Sequence, residues 1–94
     1  MHRFESDRHL KYLQMYYTYV LRSKKDNKLY IGQTSDLLRR IIDHNLGLVK
    51  STKHRIPFVK VYYETYETRS EAMMREKFFK SGKGRQFLAG LLNK

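Results

Sequence analysis

Tyr16-Tyr17-Thr18-Tyr19-Val20-Leu21, a polar break at Ser23-Lys24-Lys25-Asp26-Asn27-Lys28, then Leu29-Tyr30-Ile31-Gly32: this stretch decides the fold. The first run is aromatic and β-branched, which suits a pleated, half-buried surface. The break reads as a turn, because Asp26 and Asn27 tolerate turn backbones. The second run returns as a strand. Two short strands about a polar turn predict a β-hairpin.

Downstream, Ser35 is predicted to cap a helix with Asp36 in its first turn. Leu37, Leu38, Ile41 and Ile42 follow at helical spacing and predict a buried stripe. Asn45 and Gly47 close the helix. Residues 48–56 read as a basic turn ended by Pro57, and Phe58 to Glu64 as a third strand. Thr68 and Glu71 have the spacing of a capping box, opening a helix through Ala72, Met73, Met74, Phe78 and Phe79 to Lys80. Gly82 and Gly84 are expected to break it, with Arg85 to Leu92 as a last short helix. The order β-β-α-β-α-α predicts an α/β chain of the α+β type, a small, mostly antiparallel three-stranded sheet flanked by helices. Residues 1–14, MHRFESDRHLKYLQ, are polar and lack a clear period. They read as an N-terminal extension to a domain spanning 15–94.

The 94 residues carry 20 Lys/Arg against 9 Asp/Glu, a formal net charge of +11. That length fits one small domain. No cysteine is present, which excludes a disulfide framework, a zinc finger and a thiol nucleophile. The apolar content of 40%, with 14% aromatic, is too rich for a disordered tail. No apolar run reaches the roughly 18 residues of a membrane span, and the N-terminus lacks a signal-peptide core. A soluble cytoplasmic protein without membrane contact is therefore expected. So dense a positive charge points to a polyanion, through phosphate neutralisation and counterion release.

Tyr19 lies eleven residues before Tyr30; Tyr30-Ile31-Gly32 ends the second strand; Arg40 follows ten residues after Tyr30; Glu76 sits in the second long helix. In order and spacing this pattern resembles the GIY-YIG nucleases over residues 15 to about 88. Tyr17-Thr18-Tyr19 stands where that family has Gly-Ile-Tyr, so its first glycine is replaced. Gln33-Thr34-Ser35-Asp36-Leu37, Arg39-Arg40 and His44 resemble the family's helix entrance and basic helix. Ala72 with Arg75-Glu76-Lys77 resembles its acidic helix. The chain looks most like small stand-alone bacterial members related to the nuclease domain of the excision-repair incision enzyme, which links it to DNA repair. Gln33 stands where repair nucleases often carry Lys, and Gln86 is the candidate for a polar Asn that many members have.

The resemblance implies a metal-dependent endonuclease that nicks one strand of DNA, double-stranded or branched, per active site. The catalytic candidates are Tyr19, Tyr30, Arg40, His44 and Glu76. Glu76 is the candidate ligand for one divalent cation, Mg²⁺ or Mn²⁺. A single carboxylate can hold such an ion when water and phosphate oxygens complete its shell. Arg40 and His44, four residues apart, share a helix face and are expected to meet one phosphate. One of the two tyrosines assists the attacking water, and the sequence leaves open which. Lys50, Lys53, His54 and Arg55, with Lys80, Lys83 and Arg85, are expected to hold phosphates without reading sequence. The alternative is a non-catalytic basic nucleic-acid-binding module on the same scaffold.

Overall fold

A computed structural model describes residues 14–93. The expected hairpin is present: β1 (Tyr16–Ser23) pairs antiparallel with β2 (Leu29–Thr34). Its turn is tied by Ser23, whose hydroxyl accepts from the backbone N–H of Lys25 and of Asp26, both at 3.1 Å. Asn27 takes a left-handed φ of 63°, a conformation its short polar side chain tolerates. β3 (Phe58–Tyr66) runs two residues beyond its predicted end and pairs antiparallel with β1. The strand order is β2-β1-β3, so β2 is an edge. The register slips between Val20 and Leu21, leaving Val61 as the extra residue on β3.

Helices cover both faces of the sheet. α1 (Leu37–Asn45) starts one residue later than expected. Asp36, not Ser35, is the N-cap, and its carboxylate accepts from the Arg39 N–H at 3.1 Å. Only half of the predicted apolar stripe is buried. Leu37 and Ile41 pack on Tyr19, Leu21 and Phe58, whereas Leu38 and Ile42 are 71% and 44% exposed. The four positions span too wide an arc for one helix flank to cover on a three-stranded sheet.

The other face carries α2 (Arg69–Lys80) and α3 (Gly82–Leu92). The capping box forms as read: Thr68 Oγ1 accepts from the Glu71 N–H, and the Glu71 carboxylate accepts from the Thr68 N–H. Phe79 and Leu88 pack on Val20 and Ile31. The Thr18 hydroxyl donates to the Ala72 carbonyl at 2.7 Å and fixes α2 to the central strand. The break between the helices is Ser81 alone, which ends α2 and caps α3. Gly84 does not break a helix; it is buried inside α3, where a Cβ would overlap the Phe78 carbonyl. Among the described residues no helix is long and apolar enough to cross a membrane. Of the predicted extension, only Gln14 lies within the described residues.

Candidate active site

The site grows from one gap in the sheet. Tyr19 on β1 stands directly opposite Gly32 on β2. Its ring lies across the glycine: a Cβ at position 32 would sit 2.5 Å from the Tyr19 hydroxyl and 2.7 Å from its Cζ. Close approach of a side chain, rather than a turn, explains Gly32. The missing side chain lets a phenol from the central strand reach toward the β2 edge. Any residue but glycine there displaces it.

At that edge the Tyr19 hydroxyl lies 2.9 Å from His44 Nε2 and against the Arg40 guanidinium. His44 is fully buried. Its Nδ1 is 2.8 Å from Thr52 Oγ1, and the Tyr30 ring meets it edge-on at 4.9 Å between centroids. The expectation that Arg40 and His44 both meet a phosphate is therefore corrected. They share a helix, but His44 turns inward beneath Tyr19 and only Arg40 stays accessible. An imidazole with no exposed surface acts on the reaction through Tyr19 or not at all.

Burial pushes the Tyr19 phenol up to about 12, aided by Tyr30 and Glu76 and opposed by the bond to Arg40 and its charge. Burial, then the charge of Arg40, holds His44 down at about 4. Moving the Tyr19 proton onto His44 would thus cost on the order of 10 kcal/mol. Both groups are neutral at pH 7, and Tyr19 is not a ready base. Tyr30 differs. It is half-buried, its hydroxyl has no hydrogen-bond partner among the described residues, and it lines an open groove.

The low value of His44 has a thermodynamic consequence. Its folded-state value lies below that of an unfolded histidine, so its contribution is intact above pH ~6.5 and is lost as pH falls toward 4. The melting temperature is expected to decline across that window. His44→Gln should flatten the decline, which thermal melts at stepped pH would check.

Glu76 faces the same edge from α2, close enough for its charge to act on Tyr19. Its side chain is 23% exposed, and Oε2 accepts from the Lys80 ammonium at 2.7 Å. The carboxylate thus already holds a cation. Nearby Glu64 is not equivalent, because Arg75 and the hydroxyls of Tyr62 and Tyr66 occupy it. Among the described residues no three His, Asp or Glu side chains converge. A lone hard carboxylate suits Mg²⁺ or Mn²⁺ with water and phosphate as further ligands, and suits zinc poorly. By that chemistry the residues present fit the implied ion.

Beside Tyr30 runs a groove of about 740 Å³, bounded by the hairpin turn, the outer side of β2 and the start of α3. Lys28, Lys80 and Arg85 line it. Lys28 escaped the sequence reading because it looked like an ordinary turn residue. Lys50, Lys53, His54 and Lys83 are exposed but lie outside the lining. Arg55 also lines the groove, yet its side chain is 19% exposed and committed to Asp26, at 2.8 Å and 3.3 Å. It further donates to the carbonyls of Lys28 and Leu29. Arg55 is thereby corrected from a phosphate ligand to a strut that joins the hairpin turn to the loop before β3. Gln33, in the place of the lysine, accepts from Arg69 Nη1 at 2.9 Å. Gln86 is exposed on α3.

Comparison with known proteins agrees with this geometry. Residues 15–88 match the family model described as the GIY-YIG catalytic domain. A UPF0213 protein of Streptococcus pyogenes is 41% identical over 70 residues, covering 73% of this chain and 75% of its own. One from Listeria monocytogenes is 46% identical over 66 residues, covering 69% and 72%. The solution NMR structure of a UPF0213 protein from Bacillus halodurans superposes with a TM-score of 0.51 at 35% identity, over 82% of this chain and 84% of that one.

Proposed function

This chain belongs to the GIY-YIG catalytic-domain family of nucleases, and on that footing we propose that it is a metal-dependent DNA endonuclease that nicks one strand per active site. The observation that carries the reading is the meeting of Tyr19, Arg40 and Glu76 at the gap left by Gly32. A binding module has no use for a lone carboxylate beside a phosphate.

Glu76 holds the divalent cation, which when bound supplies charge neutralisation on the phosphate and a more acidic water. Arg40 donates to the phosphoryl oxygens and stabilises the charge that develops on them. Tyr19, fixed by His44, keeps the Arg40 guanidinium at that position. Tyr30 offers its free hydroxyl to the attacking water. Lys28, Lys80 and Arg85 hold the flanking phosphates of the strand in the groove, without reading bases. Lys80 leaves Glu76 for a phosphate when the metal takes its place.

The test is incubation of the purified chain with supercoiled plasmid and with branched DNA. Open circles formed with Mg²⁺ or Mn²⁺, and none in EDTA, support the enzyme. Salt-sensitive binding without cleavage of either substrate overturns it in favour of the binding module.

The groove yields a separate prediction. Lys28→Ala and Arg85→Ala should each lower the slope of log affinity against log salt by roughly 1, as one phosphate contact is lost. Arg55→Ala should leave that slope unchanged and lower the melting temperature instead, because it breaks the strut to Asp26. Fluorescence anisotropy across a salt series, with melts of the same variants, separates the two.

A further inference from the structure

Thr52 is fully buried in the loop between α1 and β3, and the proposed mechanism gives it no part. Its Oγ1 lies 2.8 Å from His44 Nδ1 and 3.4 Å from the Val49 carbonyl. A threonine hydroxyl has one proton to give. That proton goes either to Val49, so that Oγ1 accepts from His44, or to His44 itself. The two choices fix opposite tautomers of the imidazole and opposite roles for Tyr19.

If Thr52 donated to Nδ1, His44 would carry its proton on Nε2 and point it at the Tyr19 oxygen. Arg40, the other group against that oxygen, only donates. The Tyr19 proton would then have no acceptor among the described residues, although the residue is 1% exposed. If instead Nδ1–H donates to Thr52, the Thr52 proton goes to Val49, Tyr19 donates to Nε2, and the phenol oxygen keeps its lone pair toward Arg40. Every buried polar atom then has a partner, in keeping with the absence of unsatisfied buried side-chain atoms among the described residues.

We propose that Thr52 is a positioning residue that holds His44 as the Nδ1–H tautomer, and so sets Tyr19 as donor to His44 and acceptor from Arg40. The chain of contacts Thr52–His44–Tyr19–Arg40 runs from the loop to the phosphate-facing guanidinium. In its kinetic consequence this rests on the nuclease reading. The tautomer itself does not.

Long-range ¹H–¹⁵N correlation of His44 in the ¹⁵N-labelled full chain decides the tautomer directly. Wild type is expected to show Nδ1 protonated. Thr52→Ser, which keeps the hydroxyl, should match it and keep nicking within about threefold of wild type. Thr52→Val, close in shape, should shift His44 toward the Nε2–H form. Its kcat should fall about 10- to 100-fold, as for loss of a residue orienting a working imidazole, with KM little changed. An Nε2-protonated His44 in wild type, or an unchanged tautomer in Thr52→Val, overturns the proposal. The wild-type spectrum alone suffices should the valine variant not fold. Absence of nicking by wild type would count against the nuclease reading, while the spectrum still decides the role of Thr52.

Discussion

Glu76→Gln is expected to lower the nicking rate about a thousandfold or more, since it removes the sole candidate metal ligand and the charge it neutralises. Shape and helix propensity hardly change, so the fold should persist. The i,i+4 pair with Lys80 is lost, but a surface pair of this kind contributes little, about 0.3–0.5 kcal/mol. DNA affinity without metal should hold or rise, because a negative charge leaves the strand's path and Lys80 is freed. Nicking rates, anisotropy and melts on one preparation check all three. A Glu76→Gln enzyme nicking within tenfold of wild type would remove the carboxylate from the mechanism.

Gly84→Ala is expected to have the largest effect on stability. A Cβ there would overlap the Phe78 carbonyl and stand 2.6 Å from Phe79 Cα. Those are backbone atoms, so no side-chain rotation relieves the contact. Helices α2 and α3 must separate, opening the core around Phe79 and Leu88. Overpacking of this kind costs roughly 3 kcal/mol or more. In so small a domain that lowers the melting temperature by on the order of 15 °C. Gly90→Ala is the control. It lies in the same helix with nothing within 4 Å of its Cβ, and should stabilise by about 0.5–1 kcal/mol through helix propensity alone. Calorimetry of the pair would expose a wrong packing if both behaved alike.

Local signals in the sequence carried most of the fold. The hairpin was legible because β-branched and aromatic residues flank a polar turn. The α2 start was legible because Thr68 and Glu71 interact across three residues. Features that depend on distant partners were not legible. Gly84 looked like a helix breaker, since its reason is the backbone of a preceding helix. Arg55 looked like a phosphate ligand, since its partner Asp26 is 29 residues away. His44 looked half-exposed, because its helix face gives no sign that Tyr19, Tyr30 and Thr52 close over it. Thr52 gave no signal beyond being a polar residue in a polar loop. The motif order identified Tyr19, Tyr30, Arg40 and Glu76 as candidates. The tertiary packing then set Tyr19 and His44, which are sealed, apart from Tyr30 and Arg40, which can meet a substrate.

The central claim is that the cluster at the Gly32 gap hydrolyses phosphodiester bonds. Its most direct test is nicking of supercoiled plasmid in Mg²⁺ by wild type and Arg40→Ala, purified side by side. Open circles are expected from wild type, and at least about a hundredfold fewer from Arg40→Ala, the scale for loss of one transition-state donor. Equal nicking by the two proteins, or none by either, would contradict it.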